Sequence, residues 1–440
     1  MTTHRIEIET RPPFQSLFRV YVTTFVLLVV SNNVNAQRLV GDGFVTASGQ
    51  YVTITADFGT KDSLSDLAAS FDAATGQWQA FWQLPAGSLD SFHVTAYIMR
   101  DKDAFRAARY LQPQLPDFPF GYAVGNTVWV VEQPGEYYTR HLLLHEGVHA
   151  LSYEIFGGVG PSWFAEGTAE LLSVHTGTGP KTQVNRVPLN RDTVPYWGRF
   201  KKMAERRDEN KIPTLSTVLD FPADLNADVE AYSWSWAAAM LLSEYPQTAD
   251  TLRAAAWQGN QIEEDFRHDL MRELKPIWPI LAARWRLLCN TIDYGFDWQR
   301  ERVPLSMKDP QWNGQPLNVR VAADQGWQSI GVRLPPGATV RLEPTGQCEL
   351  AQQPKPWISQ PPGVTIRYYR GRPLGQLLAT LVPNVPEQGK TMEPFEVIAV
   401  EEPTTIVIKR HCWLMLRIND DVGELADNTG GYDVVVRRGG

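Results

Sequence analysis

The segment His145-Glu146-Gly147-Val148-His149 restricts what this chain can become more than any other feature of its 440 residues. It falls within Glu136 to Phe156, where apolar residues recur at helical spacing until Gly157-Gly158 stops them. Residues four apart on a helix share a face, so His145 and His149 point two imidazoles at one place, and Glu146, offset to the side, can approach a water held there. Glu166 follows in Trp163-Phe164-Ala165-Glu166-Gly167-Thr168-Ala169-Glu170, on a second predicted helix from Pro161-Ser162 to about Ser173, with Ser162 as the expected N-cap. Two histidines and one carboxylate leave a fourth coordination position for water, which suits a catalytic rather than a structural zinc. Glu170 shares a face with Glu166 and is placed to accept the spare N–H of a ligand histidine, fixing its tautomer. His141, one turn before His145, and His175, past the second helix, read as packing or support residues, with a smaller claim of His175 on the cleft.

The rest of the chain supplies the frame. From Gln37 to about Glu132 the pattern alternates: a strand at Tyr51 to Ala56, a helix at Asp62 to Trp82, a strand at His93 to Met99, a helix at Asp103 to Tyr110, and a hairpin turning at Gly125-Asn126. Tyr196 to about Ile292 is mainly helical, and after about Pro304 short β-branched runs punctuated by Pro and Gly predict a β-sandwich. The fold class is α+β, with domains at 37–132, 133–304 and 305–440. The strand Thr127 to Glu132, just before the motif helix, is a candidate for pairing with an extended peptide.

Residues 1–36 stand apart. Arg11 and Arg19 precede an apolar run from Val20 to Val30, and Val34-Asn35-Ala36 offers a small-residue cleavage site, the pattern of a secretory signal peptide. The run is shorter than the roughly 20 residues a bilayer requires, so no stable membrane span is expected after cleavage, and the chain is expected to be secreted or periplasmic. Disulfides are not its framework, because there are only three cysteines; Cys348 and Cys412 are the one pair open to bridging, and Cys289 reads as a buried thiol. A formal net charge of −8 argues against nucleic acid as a partner.

His-Glu-x-x-His followed by Glu-Gly-x-Ala-Glu resembles the gluzincin metallopeptidases, the zincin clan that includes thermolysin and the zinc aminopeptidases. The likeness spans about Tyr51 to Ile292. It implies His145, His149 and Glu166 as zinc ligands, Glu146 as general base and Glu170 behind the ligands. No Gly-Ala-Met-Glu-Asn segment of the aminopeptidases is present. Related enzymes use a Tyr or His from the helical subdomain to stabilise the oxyanion, and Tyr232 in Ala231-Tyr232-Ser233-Trp234 is similar in placement; an aromatic of a Trp-rich core helix is the competing reading.

Near the C-terminus, Asn419-Asp420-Asp421-Val422-Gly423-Glu424-Leu425-Ala426-Asp427-Asn428-Thr429-Gly430-Gly431 packs acidic and amide oxygens into one turn-rich loop. Calcium takes six to eight such oxygens; a solvated acidic loop is the plainer reading. The spacing of Asp420, Glu424, Asp427 and Asn428 resembles that of the small calcium-dependent galactose-binding lectins of bacteria, which implies calcium and a glycan partner. The lectins' sugar-binding histidine has no counterpart here. The combined expectation is an exported zinc metallopeptidase acting on peptide or protein substrates. Its alternatives are an exported glycan-binding protein on an inactive zincin scaffold, and a zinc hydrolase of a non-peptide amide or ester.

Overall fold

Val45–Ser48 (β1) and Val52–Ala56 (β2) form a hairpin that opens a mixed sheet. Val94–Met99 (β3) runs parallel to β2, Thr127–Val131 (β5) parallel to β3, and Gly121–Val124 (β4) folds back on β5, giving the order β1-β2-β3-β5-β4. Lys61–Trp82 (α1) makes the crossover from β2 to β3, its start fixed by a reciprocal capping box between Thr60 and Ser63. Lys102–Ala107 (α2) follows β3, capped by the Asp101 carboxylate. Because β5 is hydrogen-bonded on both sides, it cannot add a peptide strand, contrary to the expectation for Thr127 to Glu132; the edge strand is β4.

This computed structural model describes residues 43–194, 198–225, 228–352 and 355–439; the expected signal segment, 1–36, lies outside the described residues. The architecture is α+β, with several open sheets and none closed into a barrel. Among the described residues no helix is long and apolar enough to cross a membrane.

Glu136–Phe156 (α3) lies against the sheet, and Ser162–Ser173 (α4) packs on α3. Pro161 rather than Ser162 holds the N-cap position of α4, because the Ser162 hydroxyl is used elsewhere, donating to the Pro222 carbonyl at 2.6 Å. The glycines inside the two motifs serve packing: a Cβ at Gly147 would meet the Phe71 and Trp78 rings of α1, and one at Gly167 would run into the Ser235 backbone. After α4 the chain forms a short ladder, His175–Thr176 (β6) with Gln183–Val184 (β7).

The helical part comprises Gly198–Asp208 (α5), Leu215–Val218 (α6), Val229–Glu244 (α7), Pro246–Ala256 (α8), Glu263–Leu274 (α9), Trp278–Thr291 (α10) and Trp298–Glu301 (α11). Helix α7 is buried nearly all round, with Trp234 and Trp236 inside the core that joins sheet and helices.

Beyond α11 the chain is all β. Leu317–Ala322 (β8), Gln328–Leu334 (β9), Thr339–Glu349 (β10), Ile358–Ser359 (β11), Val364–Tyr369 (β12), Arg372–Leu374 (β13), Leu377–Pro383 (β14), Ile398–Ala399 (β15), Thr404–Val407 (β16), Cys412–Ile418 (β17) and Thr429–Arg438 (β18) build two facing sheets and a separate β12-β13 ribbon. One sheet runs β11-β10-β18-β8 with β16 also on β10; the other runs β15-β14-β17-β9. Strand β17 is buried along its whole length. Leu414, Leu416 and Ile418 face the opposite sheet, while Trp413 and Met415 pack with Ile280, Ala283 and Leu287 of α10. Such a strand shows no in–out alternation, which is why the period-two pattern passes over it.

Cys348 and Cys412 are free thiols rather than a bridge. They sit in strands of opposite sheets, Cys348 against the Tyr432 hydroxyl at 3.4 Å. Burial pushes the Cys348 thiol up to about 11 and the Cys412 thiol up to about 12. Cys289 is a buried thiol of α10.

Candidate metal centre

Helices α3 and α4 meet so that their motif faces confront each other. His145 Nε2 lies 3.1 Å from Glu166 Oε2, His149 Nε2 lies 3.2 Å from His145 Nε2 and 3.7 Å from Glu166 Oε2. These three atoms form one of two groups among the described residues able to hold a metal ion. Ligand atoms about 2.0–2.2 Å from a tetrahedral zinc stand roughly 3.3–3.6 Å from one another, so the spacing fits a single cation. The chemistry of the donors points the same way: the two imidazole nitrogens face each other at 3.2 Å, where at most one can donate to the other, and with both rings neutral they and the Glu166 oxygen offer a cation three donor atoms.

The second group is His141, His145 and Glu170. Glu170 Oε1 lies 3.5 Å from His145 Nδ1 and 3.6 Å from His141 Nε2. The same carboxylate is gripped by Arg199 of α5, Nη2 to Oε1 at 2.6 Å and Nε to Oε2 at 3.2 Å. A guanidinium already supplies the compensating charge there, so a cation is better placed at Glu166. The two groups share His145, one nitrogen turned to each carboxylate.

The electrostatics follow from this crowding. Burial would lower the His145 pKa, but hydrogen bonding and charge from Glu166 and Glu170 raise it to about 10. Burial penalises the Glu166 carboxylate, yet His149 and His145 outweigh that and hold it well below the ordinary carboxylate range. Glu170 is likewise held down, against burial, by Arg199 and His141. Glu146 goes the other way: buried, it is raised by desolvation in spite of the neighbouring histidines. Its carboxylate rests against the start of β4, where a Cβ at Gly121 would collide with Glu146 Oε1. Only glycine lets the edge strand pass this close.

Tyr232 of α7 faces the site. Its ring stacks on the His145 ring, centroids 6.2 Å apart, and it lines with Glu166 a cleft of about 330 Å³. Burial and the surrounding carboxylates push its phenol well up, which keeps a proton on it. The cleft continues past Ala165 to Asp224, Gln261 and Glu263. On the strand side, Phe120 and Val124 are exposed next to Gly121 and Tyr122.

His175 does not reach the cleft. It is buried under Tyr137, ring centroids 4.4 Å apart; its Nδ1 donates to the Ser173 carbonyl at 2.8 Å and its Nε2 accepts from Arg140 Nε at 2.9 Å. Burial lowers it to about 3, so it stays neutral. Arg199 and Gly121 were not singled out by sequence. Arg199 is one of five basic residues on α5, and nothing in their spacing shows which of them turns inward.

The acidic C-terminal loop is brought together only in part. Asp420 is buried, its Oδ2 accepting from Asn428 Nδ2 at 2.9 Å and its Oδ1 from the Asp421 N–H at 2.7 Å. Glu424 turns outward to Arg367 at 2.8 Å, and Asp427 is exposed. Between them Val422 enters the core of the helical part and Gly423 abuts Gly295.

No protein-family model matches the chain, and no curated protein matches it in sequence. Among solved structures, the EclA N-terminal domain, a PllA-like lectin, is similar over 28% of this chain and 96% of that one, at 17% identity and a TM-score of 0.22.

Proposed function

We propose that the protein is an exported zinc metallopeptidase with a zincin-like site. The observation that carries this reading is the meeting of three donor atoms 3.1–3.7 Å apart with the Glu146 carboxylate beside an open strand edge. His145, His149 and Glu166 are the residues that hold the ion. Zinc bound there supplies a Lewis acid and lowers the pKa of a water to about 7.

The chain's own residues do the rest. An extended peptide lies along β4, main chain to main chain, so that its scissile carbonyl comes over the histidines; a peptide rather than a small ester is favoured by this edge. Glu146 takes a proton from water as the water oxygen attacks the carbonyl carbon, and passes that proton to the amine nitrogen as the C–N bond breaks. A carboxyl group raised by burial suits both halves of that transfer. Tyr232, kept protonated, donates its O–H to the oxyanion.

The test is elemental analysis of the mature protein beside Glu146→Gln and His149→Ala, with cleavage of a broad peptide library. One zinc per chain in the first two, none in the third, and cleavage only by the parent protein is expected. A zinc-loaded parent that cleaves esters or non-peptide amides but no peptide would overturn the peptidase assignment.

A second, separate reading concerns the acidic loop. Asn428 Oδ1 is buried without a hydrogen-bond partner among the described residues, next to the Asp420 carboxylate. That pair is where calcium would enter, and a calcium-dependent rise in melting temperature, absent in Asp420→Asn, is the expected result.

A further inference from the structure

One guanidinium touches both flanks of the proposed zinc site. Arg199 is four-fifths buried, and its fork closes on both oxygens of Glu170 at 2.6 and 3.2 Å. Oxygen Oε1, the one nearest Nη2, is also the oxygen 3.5 Å from His145 Nδ1. Turning the carboxylate about its own axis would carry Oε1 away from the imidazole, and the bidentate grip prevents that turn. Among the described residues His145 Nδ1 has no other hydrogen-bonding partner. On its other side the Arg199 guanidinium carbon stands 5.7 Å from the centre of the Tyr232 ring, and that ring stacks on His145.

We infer that Arg199 is the positioning residue of this site: by clamping Glu170 behind His145 and bracing Tyr232 beside it, one side chain fixes both the ligand imidazole and the oxyanion donor. The inference rests on the metallopeptidase reading but adds to it Arg199 and Glu170, which touch neither substrate nor ion themselves. Lysine cannot replace the fork, since it offers a point charge without planar, two-pronged geometry. A helix of its own, α5, presents Arg199, so the register of α5 against α4 and α7 becomes part of the site's accuracy.

The experiment measures zinc affinity by chelator competition, kcat, KM and melting temperature for the parent protein, Arg199→Ala and Arg199→Lys, with and without added guanidinium. Zinc affinity is expected to fall about 10–100-fold in Arg199→Ala, as when a group behind a metal ligand is lost. In that variant kcat falls while KM stays near the parent value, and guanidinium restores part of both affinity and kcat. Arg199→Lys folds with its charge retained, binds zinc less tightly than the parent and gains nothing from guanidinium. Parent-like zinc affinity in Arg199→Lys overturns the inference. So does a loss in Arg199→Ala that follows melting temperature and ignores guanidinium, which marks a merely structural residue. Affinity is read without substrate, so a parent that binds zinc and cleaves nothing defeats the peptidase reading alone.

Discussion

The histidine cluster and the acidic C-terminal loop each crowd several possible metal ligands into a short run of sequence, yet only one of them converges. In the cluster every candidate side chain stands on a helix, and each helix is seated by a glycine that allows close approach, Gly147 of α3 on α1 and Gly167 of α4 on α7, so spacing in sequence becomes spacing in space. In the loop, four candidates at comparable spacing end in three environments: Asp420 and Asn428 buried together, Glu424 paired outward with Arg367, Asp427 exposed. The loop has a second task, seating Val422 and Gly423 against the helical part, and that docking decides where its side chains go. Periodic elements carry a pattern faithfully; an irregular segment answers to what it packs on.

The largest effects are expected at the cluster. On the proposed metallopeptidase function, Gly121→Ala is expected to lower kcat at least 100-fold while leaving zinc binding unchanged, because its methyl displaces the Glu146 carboxylate but not His145, His149 or Glu166. Zinc analysis beside steady-state kinetics checks it; loss of zinc in that variant would mean the strand edge supports the ligand set as well.

Next in size is the joint between the two regions. Arg417 of β17 and Glu301 of α11 form an ion pair at 2.9 Å with side chains 5% and 2% exposed. Glu301→Gln leaves a buried guanidinium without its charge partner and should cost about 3–5 kcal/mol in denaturant unfolding. Replacing both, as Glu301→Gln with Arg417→Met, should recover much of that. If the single variant is harmless, the ion pair is incidental to a joint already held by the apolar face of β17 on α10, the seating of Val422 and contacts such as Arg286 with Glu387.

How much was legible follows the same division. The span of α3 and the existence of α4 follow from apolar periodicity and from Gly157 and Pro161, and the site residues on them could be named because a helix has a fixed pitch. Tyr232 needed the further fact that α7 lies across the site, which no local pattern states. Arg199 was invisible because its partner is 29 residues away in sequence and its neighbours on α5 are equally basic. The full extent of β10, which continues to Glu349, was hidden because Pro344, Gly346 and Gln347 interrupt the β-branched run and only pairing with β18 holds them extended. The edge role of β4 is a property of sheet order, which sequence order alone leaves open.

A smaller effect sharpens the loop side. Burial raises the Asp420 carboxyl to about 6, against about 3.9 for an unfolded aspartate. A raised folded value favours the protonated form, so the contribution to stability is complete below about pH 4 and is lost as pH rises through 6, in total about 3 kcal/mol at most. In chelator the parent protein should therefore lose stability between pH 4 and 6 relative to Asp420→Asn, whose amide cannot titrate. Denaturant unfolding across that window checks the sign, and a parent that gains stability relative to the variant shows Asp420 to be held ionised.

The smallest expected effect discriminates most sharply between the two ways of reading the loop. If the spacing of acidic residues mattered there as it does on the helices, Asp427 would be a side-chain ligand and Asp427→Ala would abolish any calcium-dependent rise in melting temperature, while Glu424, offering its backbone carbonyl, would tolerate Glu424→Ala. The structure instead spends Glu424 on an exposed pair with Arg367, each side chain 47% exposed, and leaves Asp427 in solvent. An exposed pair contributes little, so each variant should unfold within about 0.5 kcal/mol of the parent and keep whatever calcium response Asp420 confers. Loss of the response in Asp427→Ala would mean that the loop rearranges around the ion. The acidic spacing would then carry information that the packing of Val422 and Gly423 conceals, and the contrast between helix and loop would rest on conformation without calcium rather than on sequence.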